Sequence, residues 1–373
     1  MATTIIDELF DNECIKIGTY TLKSGEISKY YFDMKNLISK PSLLRRIGDA
    51  IYELIKHEDF DVICGVPIGA LPIATYISTK YDVPMIIPRI EEKEYGTRKQ
   101  IEGKYSENSK CIIIEDVVTT GYSVGKIVDL LKTHMNVVGI FCVIDRMEVK
   151  NIEYPVHSLI TKNDILRLRL NRIIEKKDCR LCFSGDIEDK KDLIQTLREV
   201  GQYIVICKIH YDIYDDDVDF VRELIQVSIE HDFMIMEDRK YVDISHIVKK
   251  QYRKVKNWVD FVTVMPTINE DVLKTLSGVF IVANMSNNVW DMTAESYYMA
   301  VSYRPHVVGF ITQKRIQMDN MICMTPGINN NLKKIEEQNY REVCNIDTDI
   351  IIVGRGIYEN EDRVERAIYY GSL

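Results

Sequence analysis

The stretch Phe233-Met-Ile-Met-Glu-Asp-Arg-Lys-Tyr-Val-Asp-Ile244 decides the fold of the second half of the chain. Its first four residues, 233–236, are apolar and predict a buried strand. Charged residues occupy five of the next seven positions. A single ion in the mouth of a barrel would be heavily desolvated, so Asp238, Lys240 and Asp243 together suit a buried charge network. Taken alone, the stretch is more commonly explained as a solvated charge run after a strand, and the rest of the chain has to decide.

Apolar runs typical of strands recur from residue 180 onward, separated by helical patterns. They are 181–183, 204–209, 233–236, 261–265, 279–285, 307–311, 321–324 and 350–353. Eight strands with intervening helices in about 200 residues predict a compact (β/α)8 barrel, or TIM barrel, whose active site lies at the carboxyl ends of the strands. Polar residues follow these ends, so the charges after residue 236 belong to a catalytic rim and the solvated explanation becomes improbable.

Composition limits the class of protein. The 373 residues are 46% hydrophobic, enough for one large or two ordinary domains. A formal net charge of −9 argues against a broad nucleic-acid surface. No apolar run approaches the roughly 18 residues of a membrane span, and the acidic start lacks the pattern of a secretory leader, so we expect a cytoplasmic protein without membrane or nucleic-acid partners.

The nine cysteines lie mostly inside apolar runs, which is typical of buried free thiols in a reducing compartment. Cys179 and Cys182 have CxxC spacing but lack a second pair and a neighbouring histidine. We therefore expect no zinc site there, and no residue of the chain is predicted as a ligand of a resident metal ion.

In the first half, strand and helix patterns alternate from residue 60 to residue 144, which predicts a parallel sheet with helices on its faces. The apolar run that begins at Cys111 delivers Glu115 and Asp116 at its carboxyl end, where open α/β sheets bind ligands. Small and hydroxylated residues then open a helix: Thr119, Thr120 and Gly121. Free N–H groups at such a turn can hold a phosphate, and the carboxylates can hold ribose hydroxyls or Mg²⁺. An ordinary strand–turn–helix with two capping acids is the alternative.

The motif IIIEDVVTTG (112–121) resembles the phosphoribosyl-diphosphate motif of type I phosphoribosyltransferases. TLKSG, SKYYFD, CGVPIGALPIA and RIEEKEYGTRKQIEG resemble the orotate phosphoribosyltransferase half of bifunctional UMP synthases. The resemblance implies a first domain, 1–165, that joins orotate to phosphoribosyl diphosphate with Mg²⁺. It assigns the ribose hydroxyls to Glu115 and Asp116, and the 5-phosphate side or the pyrimidine to Thr119 beside Thr120 and Gly121. It assigns contacts with orotate or the diphosphate to Lys23 and Arg146, and the base pocket to Tyr31 and Phe32. Arg89, Tyr95 and the catalytic Lys93 are assigned to a mobile loop that closes over the diphosphate.

In the second half, FSGDI, ICKIHYDI, IMEDRKYVDI, IVKKQY, ANMS, MTPGI and IIIVGRGIY resemble orotidine 5′-monophosphate decarboxylases. The resemblance implies a second domain, 166–373, with the catalytic tetrad Lys208, Asp238, Lys240 and Asp243. Lys240 would donate a proton to C6 of the pyrimidine as carbon dioxide leaves, and Asp243 would reach into the partner subunit's site in a homodimer. This step needs no cofactor. The residues assigned to the substrate are Ser184, Asp186, Ser286, Pro326, Gln338, Tyr340, Gly354 and Arg355. His210 is expected to pack or to support the site rather than to act as a catalyst.

Several positions depart from the family pattern. Ile68 replaces an aromatic residue, Ile90 a lysine, Ile247 a threonine, and Thr263 an asparagine. Two functions therefore stay open. The first is a bifunctional enzyme of de novo pyrimidine biosynthesis that converts orotate to orotidine monophosphate (OMP) and then to UMP. The second is a nucleotide-binding or scaffold protein of the same folds in which one or both sites have decayed.

Overall fold

The computed structural model describes residues 2–22, 24–89, 100–148, 152–214, 216–287, 290–329 and 346–373. The chain divides into two compact units, one formed by 1–16 and 32–162 and the other by 17–31 and 163–373. Residues 17–31 thus group with the second unit, although their motifs belong to the predicted first domain, and the domain boundary at residue 165 stays a prediction. Within the described residues, every helix is too short or too polar to cross a membrane.

The chain begins with helix α1 (Ala2–Asp11) and a hairpin of two strands, β1 (Ile15–Thr21) and β2 (Ile27–Phe32). The turn between the strands closes through hydrogen bonds from the N–H of Leu22 to the carbonyl of Glu26 and from that of Gly25 to the carbonyl of Leu22. Gly25 has φ +83°, which glycine adopts without a steric penalty. The sequence predicts this hairpin, because strand-like residues lie on both sides of a turn that contains Lys23 and Gly25.

A six-stranded sheet forms the centre of the first unit. Its elements are α2 (Pro41–Ile55), β3 (Val62–Gly65), α3 (Leu71–Tyr81), β4 (Met85–Pro88), β5 (Ile101–Glu102), β6 (Lys110–Val118), α4 (Tyr122–Leu131), β7 (Asn136–Asp145) and β8 (Val156–Thr161). The order is β5-β4-β3-β6-β7-β8, parallel except for the β4–β5 pair. Residues 111–114 of β6 are fully buried between β3 and β7, as expected for a parallel strand covered on both faces.

The second unit contains a closed barrel of eight parallel strands. Helix α5 (Lys162–Lys177) precedes it. The strands are β9 (Leu181–Ser184), β10 (Ile206–Ile209), β11 (Met234–Tyr241), β12 (Phe261–Val264), β13 (Val279–Val282), β14 (Val307–Ile311), β15 (Ile322–Thr325) and β16 (Ile350–Val353). The helices are α6 (Lys190–Val200), α7 (Val218–Glu230), α8 (Ser245–Arg253), α9 (Glu270–Leu273), α10 (Thr293–Ser302), α11 (Arg355–Tyr358) and α12 (Arg363–Gly371). The predicted (β/α)8 barrel is confirmed.

Strand β11 differs from the expectation at its carboxyl end. The apolar run stops at Met236, but the strand continues through the charged residues to Tyr241. The charged residues remain in the strand because neighbouring strands supply ionic and hydrogen-bonding partners for them in the barrel mouth.

Candidate active sites

A cavity of about 590 Å³ lies at the carboxyl ends of the barrel strands. It brings together most of the residues assigned to the decarboxylase, which come from β9, β10, β11 and the segments that follow β13, β15 and β16. The assigned residues that line it are Ser184, Asp186, Lys208, Asp238, Lys240, Ser286, Pro326, Gly354 and Arg355. Gln338 and Tyr340 lie outside the described residues.

Four side chains of alternating charge form the polar floor of this cavity. Lys208 Nζ lies 2.8 Å from Asp238 Oδ2 and 3.6 Å from Asp186 Oδ1. Lys240 Nζ approaches the same Asp238 oxygen, at 2.9 Å. Each inner charge therefore has neighbours of opposite sign, which offsets part of the cost of removing these ions from water.

Asp238 and Lys208, the two inner members of the network, keep their charges at neutral pH. Burial acts most strongly and alone would raise the pKa of Asp238, but the charges of Lys208 and Lys240 together hold that pKa well below its usual range. Burial alone would likewise lower the pKa of Lys208, yet the carboxylates of Asp238 and Asp186 raise it well above its usual value. A fixed carboxylate between two ammonium groups is the result.

Thr263 holds the two central residues in place. Its hydroxyl donates to Asp238 Oδ1 at 2.8 Å and accepts from the backbone N–H of Lys240 at 2.9 Å. The sequence identified Thr263 only as a departure from the family and as a polar residue at a strand end. Its supporting role was missed, and the one available signal was a hydroxyl within the otherwise apolar run Phe261–Val264.

His210 and Asp243 occupy different surroundings. His210 lines the cavity, with Nε2 at 3.6 Å from carboxylate oxygens of both Asp186 and Asp238, so it supports the charge network and is not a core residue. Burial, followed by the charge of Lys208, lowers the pKa of His210. Asp243 is exposed, accepts a hydrogen bond from the N–H of Ile244, and is not among the residues that line the cavity.

Next to β9, the cavity wall is completed by the turn after β16. Gly354 follows β16 and precedes the short helix α11, which begins at Arg355. A Cβ on Gly354 would lie 3.1 Å from the carbonyl oxygen of Ser184, so a larger residue would press on β9. Arg355 lines the cavity at this turn, and a guanidinium there suits bidentate binding of an oxyanion.

In the first unit, Glu115 and Asp116 lie near the carboxyl end of β6. The N–H of Asp116 donates to Glu115 Oε1 at 2.9 Å, and burial, followed by the adjacent Asp116 carboxylate, raises the pKa of Glu115. Gly69, in the turn after β3, packs directly against the Asp116 carboxylate. A Cβ added to Gly69 would lie 1.9 Å from Asp116 Oδ2. Thr119 and Thr120 follow in the turn, and Gly121, with φ +79°, caps α4.

The remaining residues assigned to the transferase are more dispersed. Arg89 pairs with Glu102, and Arg146 pairs with Glu148 at 3.1 Å and lies over the ring of Phe32. Tyr31 belongs to the second unit, where it packs against Tyr20. Lys23, Lys93, Tyr95 and the departure Ile90 lie outside the described residues.

The other departures are placed by the structure. Ile68 is 72% exposed in the turn that contains Gly69, and Ile247 is half-buried in the first turn of α8. Neither residue is among those that line the barrel cavity.

A barrel with a charged cavity at its strand ends, joined to a phosphoribosyltransferase-like sheet, is typical of a two-domain enzyme. Comparisons with known proteins show to which family the chain belongs. The model of the orotidine 5′-phosphate decarboxylase / HUMPS family matches residues 179–370, and that of the phosphoribosyl transferase domain matches 33–163. The chain therefore belongs to the orotidine 5′-phosphate decarboxylase / HUMPS family and carries a phosphoribosyl transferase domain before the barrel.

Some relatives match this chain over almost its whole length, and others match its first half alone. Uridine 5′-monophosphate synthase of Bos taurus is 29% identical over 98% of this chain and 95% of its own length. Orotate phosphoribosyltransferase of Pyrococcus abyssi is 39% identical over 44% of this chain and 95% of its own. A solved structure of UMP synthase from Leishmania donovani is 31% identical, covers 46% of this chain and 38% of that one, and gives a TM-score of 0.42. The resemblance to bifunctional UMP synthases is confirmed.

Proposed function

We propose that this chain catalyses two consecutive steps of de novo pyrimidine biosynthesis. Its first unit joins orotate to phosphoribosyl diphosphate, giving OMP and diphosphate, and its barrel decarboxylates OMP to UMP. The observation that carries the proposal is the alternating network Asp186–Lys208–Asp238–Lys240 in the barrel cavity. It occurs in a chain whose full-length relatives are named uridine 5′-monophosphate synthase.

In the decarboxylation, the fixed carboxylate of Asp238 lies beside the carboxylate that leaves and destabilises the bound ground state. The bond from C6 to that carboxylate breaks, carbon dioxide departs, and the electron pair stays on C6 of the pyrimidine. The ammonium of Lys240 stabilises the developing charge and then donates the proton to C6. Arg355 and the Gly354 turn bind the phosphate, with Gln338 and Tyr340 assigned to the same group. Ser184, Asp186, Ser286 and Pro326 bind the ribose and the base.

In the transferase step, Glu115 and Asp116 bind the ribose hydroxyls. Thr119, Thr120 and Gly121, at the N-terminus of α4, hold the 5-phosphate. Within the described residues no group of three or more His, Cys, Asp or Glu side chains is arranged to hold a metal ion. Two adjacent carboxylates do suit Mg²⁺, which proteins usually bind through one or two carboxylates plus substrate phosphates, so the ion would enter with phosphoribosyl diphosphate. Lys93 is assigned to the departing diphosphate.

The chain acts as a homodimer under this proposal, because Asp243 lies away from its own cavity and is exposed for a partner's site. Free, buried cysteines, eight of them among the described residues, suit the reducing cytoplasm. No observation favours a scaffold with decayed sites, since each tetrad position holds the residue type that the chemistry needs.

Separate assays test the two steps. The protein, supplied with orotate, phosphoribosyl diphosphate and Mg²⁺, should form UMP, and supplied with OMP alone it should release carbon dioxide. Lys240→Ala should abolish decarboxylation while orotate is still consumed, so OMP accumulates. A wild-type protein that leaves OMP unchanged would disprove the barrel's role, and one that leaves orotate unchanged would disprove the transferase role.

A further inference from the structure

The C-terminal helix α12 is anchored to the barrel at its beginning. Arg363, its first residue, donates to Asp192 Oδ1 at 2.8 Å and to the hydroxyl of Thr196 at 2.6 Å. Both partners belong to α6. These contacts fix the start of α12, so the position of its last turn is defined by the protein itself.

Tyr370, in the last turn of α12, supports the wall of the barrel cavity from behind. The side chain is buried, with 1% of its surface exposed. A Cβ on Gly356, which lines the cavity, would lie 3.0 Å from Tyr370 Oη and 3.3 Å from Cε2. The Tyr370 hydroxyl also donates to Asn329 Oδ1 at 3.4 Å, and Asn329 follows the cavity-lining Ile328. One buried tyrosine therefore contacts both the turn after β16 and the segment after β15.

These two segments lie side by side at the mouth of the barrel, because β15 and β16 are paired. The cavity-lining residues that they contribute are Pro326, Gly327, Ile328, Gly354, Arg355 and Gly356. An arginine among them marks this part of the wall for the most negative group of a nucleotide, the phosphate. None of the steps proposed above uses Tyr370.

We infer that Tyr370 is a positioning residue for phosphate binding in the barrel. Arg355 begins α11, a helix of four residues. A helix that short is not stable by itself, so its position depends on what packs behind it. Tyr370 provides that packing at Gly356, one residue after Arg355. The inference rests on the proposed function, and it makes the preference for nucleotides over nucleosides depend on a residue behind the cavity wall.

The test uses the full-length chain and Tyr370→Phe, which keeps the ring and removes the hydroxyl. Loss of a neutral hydrogen bond should raise the Kd of UMP and that of ribose 5-phosphate by the same factor, about three- to tenfold. The Kd of uridine, which lacks the phosphate, should stay within about twofold. Calorimetry measures UMP directly and the two weaker ligands by competition. The kcat/KM for OMP should fall by the same factor, with consumption of orotate unchanged.

Tyr298→Phe is the matched control. It removes a hydroxyl from a tyrosine of α10 that is 71% exposed and is not among the residues that line the cavity. It should leave all three Kd values unchanged.

Gly356→Ala approaches the same contact from the cavity side. Its methyl group would lie 3.0 Å from the Tyr370 hydroxyl, so the tyrosine or the turn must shift and the Kd of UMP should rise. In the double variant that hydroxyl is absent, so the Kd should rise by less than the product of the two single effects. A rise equal to that product would show that the residues act independently and would contradict the inference.

The outcomes separate this inference from the proposed function. Unchanged Kd values for UMP and ribose 5-phosphate in Tyr370→Phe would overturn the inference alone. An equal rise for uridine would show a general loosening of the cavity and would also overturn it. A wild type that binds UMP but leaves OMP unchanged would overturn the decarboxylation, while the Kd ratios would still decide the role of Tyr370. A wild type that binds neither phosphorylated ligand would overturn both.

Discussion

Lys240 has a left-handed backbone, with φ +54°, next to the last residue of the parallel strand β11. A lysine in this conformation is destabilised by on the order of 1 kcal/mol, and such outliers concentrate at functional sites. The pairing of β11 with β12 shifts register between Glu237 and Tyr241, which accommodates the irregular backbone. The hydrogen bond from the Lys240 N–H to Thr263 then holds it. The strain is localised at the residue that the proposed mechanism uses as the proton donor.

Replacing Thr263 by valine tests that support. Thr263→Val keeps the branched shape but removes the hydroxyl that joins Asp238 to the Lys240 N–H. Hydrogen bonds to charged groups contribute about 1.5–3 kcal/mol, so kcat/KM for OMP should fall by about ten- to a hundredfold. Thr263→Ser restores the hydroxyl and should recover most of the activity. Equal activities of the valine and serine variants would show that the hydroxyl does not support the site.

His210 should make stability depend on pH. Its pKa is lowered in the folded protein, so between that value and the unfolded pKa of about 6.5 the unfolded chain binds more protons. The free energy of unfolding should therefore fall as pH decreases through this window, and above it the effect of His210 vanishes. Urea midpoints measured from pH 7.5 to pH 5 should show a steeper decline for the wild type than for His210→Gln. Parallel curves would contradict the shift.

At the scale of elements, the strand pattern could be predicted from the sequence because each barrel strand is a short apolar run bounded by polar residues. The length of β11 could not be predicted. Its charged end is held in the strand by Lys208 and Thr263, which are distant from it in sequence. The role of Thr263 likewise depends on the register between β11 and β12, which no local pattern encodes. Local patterns predicted the hairpin, but not the burial of Lys29 and Tyr30 against Asp260.

The turn after β3 packs closely against the carboxyl end of β6, where Gly69 contacts Asp116. In Gly69→Ala the new methyl group would lie 1.9 Å from Asp116 Oδ2, so either the turn or the carboxylate must move. Transferase kcat/KM should fall by about a hundredfold, the cost of roughly 1 Å of misplacement, while decarboxylation of OMP is unchanged. Gly125→Ala in α4 is the control, since nothing lies within 4 Å of its Cβ position. It should retain transferase activity and gain stability, by about 0.5–1 kcal/mol. Full transferase activity in Gly69→Ala would disprove the close fit.

At the scale of the whole molecule, the two-part architecture follows from two independent motif sets in one chain. Sequence assigned residues 17–31 to the first part, and their contacts group them with the second. The difference has a physical origin: Lys29 and Tyr30 find their buried partner, the carboxylate of Asp260, more than two hundred residues away in sequence. The folds could thus be predicted in outline, but the grouping of residues 17–31 with the second unit could not.

The exposed position of Asp243 predicts complementation between inactive subunits. A Lys240→Ala chain retains Asp243, and an Asp243→Ala chain retains Lys240, so a mixed dimer contains one site with both residues and one with neither. Random association of equal amounts makes half of the dimers mixed, so activity should recover to about a quarter of the wild-type value. The measurement is OMP decarboxylation after the two variants are mixed and exchanged through mild urea. As the control, each variant treated alone should stay inactive. A mixture as inactive as its components, with dimers present by sedimentation, would show that Asp243 acts in its own subunit or not at all.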